Sequence, residues 1–332
     1  MNILFVWTGL ADYMGDCWRR LSTRDGISLK VVVALESRKR GLVGFHATNI
    51  LRDLDSVCVD DDGDVPELGS WRPDIIFAVG WHSKICRAFV KDEKWEGIAK
   101  VCCFDMPWRW ALRCIVAPVV LHGFLSRYNA AFVPGSACER YAGWLGFRKT
   151  YKGLFGIDTG RFSKDGVKKG GDFFLYIGRN SDEKRLDILC EAYNKYISCG
   201  GKRGLRLYGK GLPGGFVKPE DVPVLMHEAA AFVLASDFDP WPLVLLEAMS
   251  SRCPVIASDR CTNRPELGKN WIVFRHGDAE GLARAMKQFD TISCNHDFDL
   301  KLSEGQELAR RYDVSAWTDR VIGICEELVD VR

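Results

Sequence analysis

The stretch Phe173-Phe174-Leu175-Tyr176-Ile177-Gly178-Arg179-Asn180-Ser181-Asp182-Glu183-Lys184-Arg185 decides how the chain is read. Its apolar run is too short for a buried helix and shows no polar alternation, so it predicts a strand covered on both faces. Gly178 supplies a turn, and a helical pattern follows from about Arg185 to Ser198. The same succession recurs from one end of the chain to the other. In the first half, strands are predicted over Ile3–Trp7, Leu29–Ala34, Ile75–Val79, Lys100–Phe104 and Ala130–Val133. In the second half they fall over Phe173–Ile177, Leu205–Tyr208, Ala231–Leu234, Val255–Ala257 and Ile272–Phe274. Helices are predicted over about Leu243–Ser251 and Ala279–Phe289. Strands that alternate with helices make parallel sheets clothed in helices, an α/β chain.

At roughly 100 to 200 residues per domain, 332 residues predict two domains. Composition shifts to Lys, Gly and Asp between Lys164 and Asp172, with Lys168-Lys169-Gly170-Gly171 as a polar linker. The break is therefore expected between domains over 1–164 and 165–312. With 47% hydrophobic and 27% charged residues, disordered and collagen-like chains are excluded. Lys and Arg total 46 against 44 Asp and Glu, a balance that announces neither a nucleic acid nor a membrane. Thirteen cysteines without a C-x-x-C spacing read as reduced thiols of a cytoplasmic protein, with no metal. Ile3 to Trp7 reads as a first buried strand rather than a leader, and Cys114 to Leu121, the longest apolar stretch, is too short to span a membrane. The acidic run Asp60-Asp61-Asp62-Gly63-Asp64 lacks calcium-loop spacing and is expected to be a solvated turn.

Gly209-Lys210-Gly211-Leu212-Pro213-Gly214 satisfies the dinucleotide fingerprint G-x-G-x-x-G on paper. The fingerprint needs its third glycine inside a helix facing a pyrophosphate. Pro213, Gly214, Gly215 and Pro219 disfavour that helix. A flexible loop at a strand end is expected instead, at the edge where open parallel sheets bind ligands.

Two other constellations carry chemistry. Arg179 and Lys184 stand between a strand end and a helix start, an arrangement that suits an anionic diphosphate or, alternatively, pairing with Asp182 and Glu183. Farther on, Asp239 precedes a helix starting at about Leu243, and Glu247 lies one turn inside it, between Leu245-Leu246 and Ala248-Met249. A carboxylate in so apolar a setting needs partners. Sugar hydroxyls would serve, as would an ordinary exposed position on the helix.

Gly178-Arg179 with Lys184, Asp239 and Glu247 with seven residues between them, Leu246-Glu247-Ala248-Met249, and Pro254-Val255-Ile256-Ala257-Ser258-Asp259 before Pro265-Glu266 together resemble the retaining glycosyltransferases of family 4, with the GT-B fold. Gly156-Ile157-Asp158-Thr159-Gly160-Arg161-Phe162 is similar to the segment that ends that family's first domain. Tyr312-Asp313-Val314-Ser315-Ala316-Trp317 is similar to the start of its closing helix. The resemblance implies two Rossmann-like domains facing across a cleft, the first on the acceptor side and the second on the donor side, with 313–332 crossing back to the first. It implies transfer of a hexosyl group from a UDP- or GDP-linked sugar, with no metal and no further cofactor. Arg179 and Lys184 would bind the diphosphate, Glu247 the ribose, and Asp239 the sugar. The N–H groups of Leu243 and Val244 would face the phosphate and sugar, with Trp241 beside them. Trp241-Pro242 stands where the family commonly has Phe-Gly, and Tyr208 to Glu228 is shorter than the family's segment, as if a strand and a helix were missing.

In the first half, Trp7-Thr8-Gly9 to Gly15 is expected to form a strand-to-helix loop whose glycines admit a ligand. His82 and Asp105 follow predicted strands and are candidates for the donor sugar and the acceptor, respectively. Residues 81–160 hold 12 Lys and Arg against 6 Asp and Glu, and the excess includes Arg109 and Arg113 in Trp108-Arg109-Trp110-Ala111-Leu112-Arg113. Tryptophans interleaved with arginines suit a lipid headgroup surface or a nucleic acid, besides a plain structural helix. Three readings follow: transfer to a glycan or lipid-linked acceptor with peripheral membrane contact on the cytoplasmic face, glucosyl transfer to modified DNA, and a non-catalytic nucleotide-sugar or glycan binder.

Overall fold

The computed structural model describes residues 1–35, 50–163, 171–293 and 296–329, which fall into two compact units. The first comprises Met1–Ile157 with Val314–Arg332. Its sheet contains β1 (Asn2–Thr8), β2 (Ser28–Leu35), β3 (Ser56–Asp60), β4 (Ile75–Val79), β5 (Ala99–Cys103), β6 (Ala130–Val133) and β7 (Thr150–Lys152). They lie in the order β3-β2-β1-β4-β5-β6-β7, all parallel. The central strands are the predicted apolar runs, since both their faces are buried. β3 and β7 were not expected. They are the two edges, partly exposed, so their sequences Ser56-Val57-Cys58-Val59-Asp60 and Thr150-Tyr151-Lys152 carry no apolar run.

Helices α1 (Asp12–Ser22), α2 (Lys84–Lys91), α3 (Leu112–Leu125) and α4 (Ser136–Trp144) belong to this unit. Gly15 is inside α1 rather than in the preceding loop, and a Cβ there would lie 2.7 Å from the Ile50 carbonyl oxygen. Its bare Cα serves close packing. The acidic run is only partly a solvated turn: Asp60 ends β3, and Asp61 accepts hydrogen bonds from the Ser83 hydroxyl and the Lys84 N–H at the start of α2. A carboxylate there satisfies N-terminal donors and favours the helix dipole.

The second unit is Asp158–Asp313. It contains β8 (Phe173–Ile177), β9 (Gly204–Tyr208), β10 (Ala231–Leu234), β11 (Val255–Ser258) and β12 (Ile272–Phe274), parallel and in the order β12-β11-β10-β8-β9. Its helices are α5 (Thr159–Phe162), α6 (Leu186–Ser198), α7 (Val222–Glu228), α8 (Leu243–Ser250), α9 (Arg264–Leu267), α10 (Ala279–Ile292) and α11 (His296–Arg310). The segment Tyr208 to Glu228 therefore keeps a helix, α7, where none was expected. Pro219 and Pro223 argue against a helix in the sequence, yet Pro219 opens a 3₁₀ turn and Pro223 sits in the first turn of α7, where proline is tolerated. The linker residues Lys168 to Gly170 lie outside the described residues.

The chain ends in α12 (Val314–Val329), which belongs to the first unit. Trp317, Val321, Ile324 and Cys325 form one apolar face and are buried. The Trp317 indole lies 5.9 Å from the Phe5 ring and donates its N–H to the Leu154 carbonyl at 2.7 Å. A central strand and the last helix are thus joined by one aromatic contact. Trp317→Ala is expected to cost about 3–5 kcal/mol in urea unfolding, whereas Glu326→Ala on the exposed face should stay within about 0.5 kcal/mol.

Candidate active site

In a parallel sheet every strand delivers its C-terminal end to the same edge, and ligands of open α/β sheets bind there. In the second unit that edge gathers Gly178 to Lys184 after β8, Gly209 to Gly215 after β9, Ser236 to Pro242 after β10 and Asp259 to Asn263 after β11. β8 and β10 are direct neighbours. Their loops meet where the Lys184 ammonium donates to the Asp239 carboxylate, an ion pair with both side chains largely buried.

Three further links hold this pair. Asp237 donates its backbone N–H to the Glu183 carbonyl at 2.9 Å, and the Arg185 guanidinium reaches Asp237 at 2.8 Å. Arg185 also contacts Asp187 at 2.8 Å and adopts a left-handed backbone, φ 49°. That conformation costs a non-glycine residue of order 1–3 kcal/mol, a strain offset by its two carboxylate partners. On the other side, Asp239 bridges to Cys261, with Thr262 N–H donating to the Asp239 carbonyl at 3.0 Å. Neither Arg185 nor Asp237 stood out in the sequence. A basic residue immediately before a helix, with an acid ahead of the next one, is the faint signal they left.

Arg179 is the exposed cation of the group, its side chain 79% exposed and 3.2 Å from Glu183. Its carbonyl accepts the Tyr176 hydroxyl at 2.7 Å, and that hydroxyl leaves no room for a Cβ on Gly178. Gly209 packs from the neighbouring loop so closely that a Cβ would lie 1.9 Å from the Gly178 carbonyl oxygen. No helix begins at Gly214, whose N–H returns to Leu207 at 2.9 Å. The glycines of the false fingerprint thus let two strand-end loops touch.

Helix α8 starts beside Asp239. Pro242 is its N-cap, so the missing N–H of proline falls outside the helix, and the Leu245 N–H donates to the Pro242 carbonyl at 3.1 Å. Leu243 and Val244 open the first turn, whose N–H groups have no partner within the helix. Glu247 is half-buried one turn on. Trp241 is buried against Tyr312, ring centroids 5.6 Å apart, so its indole shapes the loop from behind. Buried side-chain atoms without a protein hydrogen-bond partner concentrate here: Ser236 Oγ, Asp237 Oδ1, Trp241 Nε1 and Asn263 Oδ1. Such atoms are costly unless a ligand or water satisfies them.

The first unit has its own pocket, about 560 Å³, at the corresponding edge. It is lined by Thr8 at the end of β1 and Gly9 after it, Asp61 after β3, Trp81, His82 and Ser83 after β4, and Asp105 after β5. β1 lies between β2 and β4, where the strand order reverses, so the pocket occupies the switch point of the sheet. His82 and Asp105 are therefore brought together, and Asp61 and Ser83 join them unannounced by the sequence. Burial, and then the Asp105 carboxylate, pushes the phenol of Tyr13 above its ordinary range. Gly15, Trp108 and Arg109 are not among the lining residues. Trp108 packs on the core of the first unit.

Among the described residues no cluster of His, Cys, Asp or Glu could hold a metal ion, and no helix is long and apolar enough to cross a membrane. The thiols of Cys86, Cys261 and Cys325 are buried, and desolvation pushes each up to about 12.

Comparison with curated proteins gives no match. Among solved structures, the chain resembles a glycosyltransferase from Rickettsia africae ESF-5, with a TM-score of 0.75 at 12% identity over 99% of this chain and 98% of that one. It also resembles Anabaena HepE in complex with UDP-glucose, with a TM-score of 0.69 at 16% identity over 99% and 100%. Sucrose-phosphate synthase from Thermosynechococcus elongatus gives 0.71 at 13% identity, again over 99% and 100%. These likenesses establish a two-domain α/β fold of the GT-B type. Residues 171–289, most of the second unit, match the family described as Glycosyl transferases group 1.

Proposed function

We propose that the chain is a retaining glycosyltransferase that moves a hexosyl group from a UDP- or GDP-linked sugar to a hydroxyl of a glycan or lipid-linked acceptor without a metal. The observation that carries this reading is the Lys184–Asp239 pair, set beside the exposed Arg179 and the first turn of α8. Two cations and helix N–H groups converge on a place suited to a diphosphate, and carboxylates at Asp239 and Glu247 are suited to hydroxyls. The group 1 match covers all these residues, and HepE, of the same fold, is described with UDP-glucose bound.

In this reading the second unit binds the donor and the first-unit pocket with Asp105 takes the acceptor. The bond between the anomeric carbon and the diphosphate oxygen breaks, and its electron pair stays on the diphosphate. Arg179, Lys184 and the N–H groups of Leu243 and Val244 stabilise that growing charge. The acceptor oxygen bonds to the anomeric carbon on the same face, and its proton passes to a donor phosphate oxygen. Glu247 holds the ribose hydroxyls and Asp239 those of the sugar, while also fixing the Lys184 ammonium.

UDP- and GDP-sugars are to be screened by thermal shift and then by donor hydrolysis, and stabilisation by at least one is expected. Its absence for every nucleotide sugar would falsify the reading. Arg179→Ala should abolish the shift without changing the melting of the free protein, because the side chain is exposed. Lys184→Ala should lower turnover about 10²- to 10³-fold and also destabilise the free protein, since it strands a buried carboxylate at a cost of about 3–5 kcal/mol. The double variant Lys184→Met, Asp239→Leu is expected to recover stability and not turnover. Activity should persist in excess chelator, and the product anomer, read by NMR, should match that of the donor.

A further inference from the structure

Helix α3, Leu112–Leu125, is apolar on both of its faces. Cys114, Ala117, Phe124 and Leu125 face the core of the first unit. The other side carries Leu112, Ile115, Val116, Val119 and Val120, all exposed. Positions i, i+3, i+4, i+7 and i+8 form one continuous stripe, about 140° wide at 100° per residue. Leu112, Val119 and Val120 are 75%, 82% and 72% exposed, and Trp110, just before the helix, is 89% exposed. Scattered exposed apolar residues need no explanation, whereas a contiguous face marks a contact surface.

The charge around the face identifies what it contacts. Residues 106–138 contain Arg109, Arg113 and Arg127 and no Asp or Glu. Arg109 and Arg113 stand close enough that burial and their mutual repulsion hold the Arg109 guanidinium below its usual range. Two tryptophans frame the start of the helix: Trp110 packs edge-on to Trp108 at 4.6 Å, and the exposed Trp144 donates its indole N–H to the Cys114 carbonyl at 3.1 Å. Aliphatic stripe, rim of indoles and arginine flank are the three components of an interfacial helix on an anionic bilayer. A symmetric second copy fits less well, because a two-fold contact sets the same surface against itself and would bring like-charged arginines together.

We infer that the Leu112–Leu125 face, with Trp110, Arg109 and Arg113, docks the first unit onto an anionic lipid surface, the helix lying in the plane of the interface. At 14 residues the helix is too short to cross a bilayer. The inference does not depend on the sugar-transfer reading, since none of these side chains lines the pocket or belongs to the Lys184–Asp239 site.

Co-flotation of the full chain with vesicles of phosphatidylcholine, with and without added phosphatidylglycerol, tests it. Binding is expected only with phosphatidylglycerol and should weaken as salt rises. Val119→Glu with Val120→Glu should lower the partition coefficient at least tenfold. Arg109→Gln and Arg113→Gln should each lower it about fivefold, and because Arg113 is exposed and Arg109 only partly buried this pair keeps the test valid if the glutamate variant fails to fold. No binding to anionic vesicles, binding unchanged in the folded variants, retention on duplex DNA instead of vesicles, or a solution dimer that Val119→Glu splits would each overturn the inference.

Discussion

A parallel strand cannot turn back on its neighbour. It must be followed by a crossover, and every crossover leaves from the same edge of the sheet. Among the described residues both sheets contain only such strands, so each assembles one edge from segments far apart in sequence. In the second unit this brings Gly178, Gly209, Asp239 and Asp259 to one place, and in the first it collects Thr8, Asp61, His82 and Asp105. The strand cores themselves contribute no chemistry. Their continuous burial fixes the register that decides which loop residues become neighbours.

Within that frame the Lys184–Asp239 contact is the most demanding feature of the second unit. Two charges removed from water lose several kcal/mol of hydration each, and their attraction repays this only with good geometry and further hydrogen bonds. The surroundings supply both. Arg185 accepts a left-handed backbone, Asp237 ties the two loops together, and the bridge from Asp239 to Cys261 anchors the carboxylate from behind. So much local strain and satisfied charge is a costly way to stabilise a fold, because apolar residues of similar volume would do it better. It is an economical way to hold an ammonium group in a fixed position beside a helix N-terminus.

How much of this was legible depended on where each residue's partner lies. Strands buried on both faces announce themselves as apolar runs, which is why Ile75–Val79, Ala130–Val133 and Phe173–Ile177 read correctly. The edge strands Ser56–Asp60 and Thr150–Lys152 do not, because their partly exposed residues carry no apolar run. Helix α7 was hidden by Pro219 and Pro223, residues that oppose a helix in its interior and suit its first turn. Gly15 was placed in a loop because glycine usually marks one. In fact it answers to Ile50, a neighbour brought in by the fold. For Lys184 and Asp239 the residue types were informative and their direct pairing was not, since it depends on β8 lying next to β10. Arg185 and Asp237 acquire a role only from that same geometry, and Asp61 and Ser83 only from the edge of the first sheet.

Helix α3 shows the opposite limit. Its sequence, Leu112-Arg113-Cys114-Ile115-Val116-Ala117-Pro118-Val119-Val120-Leu121, is apolar all round, and such a helix ordinarily belongs in a core. The structure satisfies only half of it: Cys114 and Ala117 are buried while Val119 and Val120 face outward. Hydropathy cannot distinguish these cases, because a residue buried in protein and one buried in lipid are the same residue. The exposed flank is what separates them. A helix covered by protein on both faces has no use for an indole and an arginine held out in solvent at its start, whereas a surface that meets anionic headgroups does, and Trp110 and Arg113 stand exposed there.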